Sequence, residues 1–180
     1  MRKLSHSEIV HRQQSGGGAG RIPFTVVLNN IRSLYNVGSV FRTADGVGAE
    51  KLWLCGITGY PPQAQIAKTA LGAELRVPWE YHRDVLAVIE RYRSDGYDIV
   101  LLEQTDRSID YHQYVPEKPV CLVIGNEIEG VSAEAVTFCD RAVEIAMHGI
   151  KNSLNVGVAF GIVAYHIRQG LIHSGRGHGR

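Results

Sequence analysis

Three short polar segments hold the side chains of this chain that could do chemistry. The first, NNIRSLYNVGSVFRTADGVGA over 29–49, offers Asn36 and Arg42. The second, LVIGNEIEG over 122–130, places Gly125 at a strand end and Glu127 on the turn beyond it. The third, IAMHGIKNSLNVGVAF over 145–160, brings Ser153 and Asn155 to the start of a very apolar helix. Amides, a guanidinium, a carboxylate and a hydroxyl can hold and orient a polar ligand, and Gly125 lets one approach the backbone closely. Each group also has a purely structural use. Asn36 suits a helix N-cap, and Arg42 can pair with Asp45 at i,i+3. Ser132 can cap the helix after the second segment, and Asn152 or Ser153 the helix after the third. A helix start needs only one such cap, so the two small polar residues Ser153 and Asn155 are a surplus that points to a site.

The elements that must position these groups alternate between strand and helix. Apolar, β-branched runs predict strands over 24–28, 51–57, 76–81, 97–103, 120–124 and 142–146. Helical spacing predicts helices over 5–13, from Asn36 through Val47, and over 62–71, 84–93, 133–138 and 153–171. A long polar loop fills 104–118. Continuous apolar strands alternating with helices imply an α/β fold with a mainly parallel sheet and helices on both faces. Such sheets bind ligands at the carboxyl ends of their strands, and all three segments begin there. The last helix adds a second clue. Leu154, Val158, Ile162 and Tyr165 line one stripe, and Val156, Phe160, Val163 and Ile167 another. A helix apolar on two sides is buried on two sides. The sheet can cover one, and a second copy of the chain the other, so a homodimer is expected.

At 180 residues the chain fits one domain with a sizeable core. It divides into a short basic extension with a glycine-rich linker (1–20), a main domain (21–171) and a basic tail (172–180). Cys55, Cys121 and Cys139 are odd in number and widely spaced, and the eight histidines lack ligand spacing, so no metal and no disulfide framework are expected. The polar N-terminus has no signal-peptide core. The longest uncharged apolar run, Val156 to Tyr165, is half the ~20 residues of a membrane helix, so a cytoplasmic protein with no membrane contact is expected. The net charge of +1 is unevenly spread: 1–21 carry +3 and 168–180 carry +3, leaving −5 on 22–167. Two basic ends on an acidic body suit RNA gripped through its phosphates, or are simply solvated tails. No GxGxxG, GxxxxGK[ST] or GxSxG motif marks a dinucleotide, P-loop or hydrolase site.

Taken together, Asn36-x5-Arg42, the GxExxG of Gly125 to Gly130 and the MxGxxxSLN of Met147 to Asn155 resemble the three signature motifs of the SPOUT superfamily of RNA methyltransferases, in its SpoU/TrmH branch. The resemblance runs in order through 22–171. It implies a deep C-terminal trefoil knot, which no periodicity could show and which departs from ordinary topology. It also implies an S-adenosylmethionine pocket at Leu102, Glu103, Gly125, Ile145, Met147, Ser153 and Leu154, with Ile145, Met147 and Leu154 forming an apolar slot for adenine.

Members of this branch methylate a ribose 2′-hydroxyl of tRNA or rRNA. The resemblance assigns catalysis to Arg42, Asn36, Glu127, Ser153 and Asn155. Arg42 is either the general base or, given a guanidinium pKa above ~12, a group that grips phosphate and orients the hydroxyl. A base methyltransferase and an inactive RNA-binding relative are the alternatives. Where many relatives have proline before the residue matching Met147, this chain has Ala146.

Overall fold

The computed structural model describes residues 1–15, 20–126 and 130–175. The linker at 16–19, Glu127 with its two following neighbours, and the end of the tail at 176–180 lie outside them. After an N-terminal helix α1 (His6–Ser15) come β1 (Ile22–Asn29), α2 (Leu34–Val47), β2 (Ala49–Cys55), α3 (Ala64–Ala70), β3 (Trp79–His82) and α4 (Val85–Ser94). The chain continues with β4 (Asp98–Leu102), β5 (Ile109–Asp110), β6 (Val120–Ile124), α5 (Ala133–Thr137), β7 (Arg141–Glu144) and α6 (Val156–His173). The seven strands form one sheet in the order β3-β2-β1-β6-β4-β7-β5, and every pairing is parallel.

Side chains alternate across the sheet, and each set meets its own helices. Phe24, Val26 and Leu28 of β1 pack with Phe41 of α2 and with Phe160 and Ile167 of α6. Val27, with Leu101 and Val123, packs with Ile89 and Tyr92 of α4 and Ala135 of α5. Phe41 and Phe160 have no exposed surface, and burial of each contributes about 2–3 kcal/mol. Gly38 lets α2 and α3 touch: a Cβ there would lie 2.3 Å from the Ile66 carbonyl oxygen.

The strand order decides where a site can be. β1 and β2 build outward to β3, and the chain then crosses to β4, leaving a gap that β6 later fills between β1 and β4. Order reverses at β1/β6, where such sheets commonly leave a crevice beyond their carboxyl ends; the cleft here opens on the far side of β6, beyond β4 and β7.

The structure revises several expectations. Asn36 is not the N-cap of α2. Ser33 is, its hydroxyl accepting the Asn36 N–H at 3.3 Å; the helix begins at Leu34, so Asn36 already lies in its first turn. α6 starts at Val156, later than predicted, and its cap is Asn155 in place of Asn152 or Ser153. Pro62 precedes α3 without opening it, the N-cap being Gln63. Arg42 makes no pair with Asp45 and, among the described residues, no side-chain hydrogen bond or ion pair.

The polar stretch 104–118 is also more ordered than its composition suggests. It contributes β5 and buries Tyr114. The Tyr114 hydroxyl donates to the buried Asp98 carboxylate at 2.9 Å, and Arg141 Nε reaches the same oxygen at 3.2 Å. Burial, with Asp98 alongside, pushes the Tyr114 phenol well above its ordinary pKa, so it stays a donor. His166 of α6 meets the Tyr114 carbonyl at 2.7 Å. The segment is therefore pinned at both strand and helix. Tyr114→Phe removes one hydrogen bond to a buried carboxylate and should cost about 1–3 kcal/mol. The expected result in urea unfolding is a lower midpoint at unchanged slope; an unchanged midpoint would show the bond contributes nothing.

Candidate functional site

Beyond the carboxyl ends of β4, β6 and β7 lies a cleft of about 630 Å³, its open mouth included. Leu102 and Glu103 close β4, Ile124 and Gly125 close β6, and Ile145 and Met147 follow β7. Ser153, Leu154 and the first turn of α6, at Val156 and Ala159, form the remaining wall. All seven positions expected to touch a cofactor line this one cleft. A second hollow adjoins it, sharing Gln104, Glu144, Ile145 and Met147 and running along Ala146 to Asn152.

The walls are held by backbone and amide bonds. After Gly125 the chain turns back on itself, with Asn126 N–H donating to the Gly130 carbonyl at 3.1 Å and Gly130 N–H to the Asn126 carbonyl at 2.9 Å. A Cβ on Gly125 would sit 2.3 Å from the Gly130 carbonyl carbon. Gly125 is thus required by the packing of this turn, a reason separate from the expected approach of a ligand. Gly130 has φ +66°, and a Cβ there would meet the Glu103 carboxylate at 2.6 Å. Gln104 Nε2 donates to the Asn152 carbonyl at 2.7 Å, tying the end of β4 to the loop before α6. Glu144 accepts from Ser108 at 2.7 Å.

Gln104, Asn126 and Glu144 line the cleft and went unnoticed in the sequence. Asn126 adjoins Gly125 in the sequence, but only the fold gives it importance. It is 5% exposed, and its Nδ2 donates to the Asn30 carbonyl at 2.9 Å, joining β6 to the loop after β1.

The first and third motifs meet directly. Asn155 Nδ2 donates to Asn36 Oδ1 at 3.1 Å, while Asn155 Oδ1 accepts the Gly157 N–H at 3.0 Å. One amide therefore caps α6 with its oxygen and reaches α2 with its nitrogen. Ser153 is exposed at the cleft wall. Arg42 stands apart: it is exposed, lines no part of the cleft, and lies six residues beyond Asn36 on α2. At helical pitch that is about 9 Å along the axis and roughly 120° around it. Glu127 falls outside the described residues.

The apolar lining of Leu102, Ile124, Ile145, Met147 and Leu154 suits a flat heterocycle, and the carboxylates of Glu103 and Glu144 at its edge suit a cationic one. Among the described residues no cluster of His, Cys, Asp and Glu could hold a metal ion. No helix among them is long and apolar enough to cross a membrane.

Comparison with known proteins agrees with this fold. A tRNA (guanosine(18)-2′-O)-methyltransferase of Aquifex aeolicus is 31% identical over 144 residues, 78% of this chain and 66% of the relative. The crystal structure of the A. aeolicus TrmH/SpoU tRNA modifying enzyme superposes with a TM-score of 0.81 at 26% identity, covering 95% of this chain and 86% of that one. An AdoMet-bound rRNA methyltransferase from Sinorhizobium meliloti gives a TM-score of 0.77 at 29% identity, over 82% of this chain and 56% of that one. The chain spans 61–66% of the length of the first curated relatives it matches. The model of the SpoU rRNA Methylase family matches residues 23–165, most of the chain. The chain belongs to the SpoU rRNA Methylase family.

Proposed function

We propose that this chain is an S-adenosylmethionine-dependent methyltransferase acting on a ribose 2′-hydroxyl of tRNA or rRNA in the cytoplasm, and that residues 21–171 are its SPOUT methyltransferase domain. The observation that carries the reading is the junction of the motifs: a strand-end cleft from the second and third opens beside the Asn155–Asn36 amide contact with the first. The related structures solved with AdoMet support the choice of cofactor, and relatives named for guanosine-2′-O methylation support ribose as the acceptor.

In this reading Ile145, Met147 and Leu154 bind adenine, and backbone groups at Leu102 and Gly125 give it direction. Glu103 balances cationic charge. S-adenosylmethionine supplies a sulfonium methyl, an electrophile that needs only an aligned nucleophile and an exit for its proton. Ser153 stands between cofactor and ribose, and Asn36 and Asn155 orient the sugar. Arg42 grips the neighbouring phosphate, a role that fits a guanidinium better than proton abstraction does. Glu127 steadies the arginine or the adjacent backbone. The trefoil knot would thread α6 through the loops that line the cleft.

A homodimer would use the second apolar side of α6. Val158 and Tyr165 are each 52% exposed and Leu154 is 37% exposed, whereas Val156, Phe160, Val163 and Ile167 are buried against the sheet.

The direct test is incubation with methyl-labelled S-adenosylmethionine and RNA, followed by nucleoside mass mapping. Label in a 2′-O-methyl nucleoside is expected; label in a base would establish the base-methylating alternative, and no label would end the proposal. Arg42→Ala should lower turnover about 100-fold or more, an effect of the size seen when one oriented hydrogen-bond donor is lost, while calorimetry finds cofactor affinity within about threefold. Undiminished turnover would remove Arg42 from the mechanism. Asn155 allows a sharper separation. Asn155→Ala should cost about 1 kcal/mol through the lost cap. Asn155→Asp keeps the cap acceptor and loses the donor to Asn36, so its melting temperature should hold while turnover falls. Equal turnover in Asn155→Asp and wild type would reduce Asn155 to a helix cap.

A further inference from the structure

An exposed aromatic patch lies outside the cleft on the same edge of the sheet. Tyr60, in the loop after β2, and Tyr81, on β3, are 47% and 41% exposed, with ring centroids 4.9 Å apart. Tyr60 also stacks over Trp79 at 6.2 Å with its plane tilted by 28°. The sheet edge does not need two half-exposed tyrosines, because the core contact is already made by Trp79 against Phe41.

The patch is held rigidly. The Tyr81 hydroxyl donates to the Gly56 carbonyl at 2.9 Å. In the same loop Thr58, 2% exposed, accepts the Ile31 N–H and donates to the Leu28 carbonyl, both at 3.0 Å. Ile57 N–H donates to Asn30 Oδ1 at 3.1 Å, and the Asn30 carbonyl accepts from Asn126 in the cleft. A short line of hydrogen bonds therefore fixes the aromatic surface to the site. Three strand spacings separate the ends of β6 and β3, roughly 14 Å, which a few nucleotides of single strand can cover. The exposed Arg83, two residues after Tyr81, has no ion-pair partner among the described residues.

We propose that Tyr60 and Tyr81 form a stacking platform for an unpaired base a few nucleotides from the methylated ribose, with Arg83 holding its phosphate. Prearranged rings lose little entropy on binding, and stacking accepts any base that is out of a duplex. The enzyme would then select loops and other unpaired regions of RNA. This rests on the RNA-methyltransferase reading above.

The test uses the full chain and two labelled probes, total tRNA and a single-stranded 12-nucleotide RNA, read by fluorescence anisotropy. The double variant Tyr60→Ala/Tyr81→Ala should bind both probes about 10–100-fold more weakly, with cofactor affinity close to wild type and a melting temperature lowered by the lost Tyr81–Gly56 bond and ring contacts but still well above the assay temperature. Tyr60→Phe, which keeps the ring, should bind within about threefold of wild type. If wild type binds RNA and the double variant binds it equally well, the platform is wrong and the enzyme reading stands. If wild type binds and methylates no RNA, both fall. A double variant with intact RNA binding and a changed elution volume in gel filtration would mark the patch as a protein contact and overturn the proposal.

Discussion

The structure depends on one constraint: β6 must enter between β1 and β4, the two strands on which the halves of the sheet are built. β6 is buried along its whole length and is hydrogen-bonded on both sides. Its apolar character follows from having helices above and below. Its position also makes the cleft. With β6 in the gap, the turn at Gly125 lies between the end of β4 and the loop after β1, and the segment after β7 is brought against both. The walls come from separate stretches of sequence, at 102–104, 124–126, 144–147 and 153–159, and the insertion gathers them.

Amide side chains complete what the strands begin. Asn126 reaches Asn30, Asn30 reaches Ile57, and Asn155 reaches Asn36. Each bond crosses between elements far apart in the chain and stands at the carboxyl edge. A carboxamide can donate and accept at once, so one residue can satisfy its own turn and still hold a neighbour. Asn155 does both, which accounts for the surplus of polar groups at the start of α6 without making every one of them a ligand contact.

Much of this was legible in the sequence, because apolar periodicity reports burial directly. The runs at 24–28 and 120–124 show strands buried on both faces, and of the two stripes of the last helix one is buried and the other half-buried to exposed. Helix starts were harder. Ser33 and Asn36, or Ser153 and Asn155, are chemically equivalent caps, and only the path of the preceding loop selects between them. Tyr114 was hidden for a different reason: its polar neighbours mask a single buried anchor, and its partner Asp98 is 16 residues away. All seven expected lining positions came from the family resemblance and do share a cleft. Asn126, Gln104 and Glu144 did not, since their importance arises from pairings across the sheet. The place of Arg42, about one and two-thirds turns beyond Asn36 on α2, shows that motif membership and adjacency in the folded chain are separate facts.

The late arrival of β6 has a consequence for synthesis. Residue 120 follows the end of β1 by about 90 positions, so at 5–20 residues per second the ribosome delivers it roughly 5–20 s later. Through that interval one edge of β1 has no strand to pair with, and unpaired apolar edges recruit other chains. The nascent protein therefore passes through a timed window of vulnerability. It closes only when the strand that builds the cleft emerges, so a chain cut short before that point would lack the site and keep an adhesive edge.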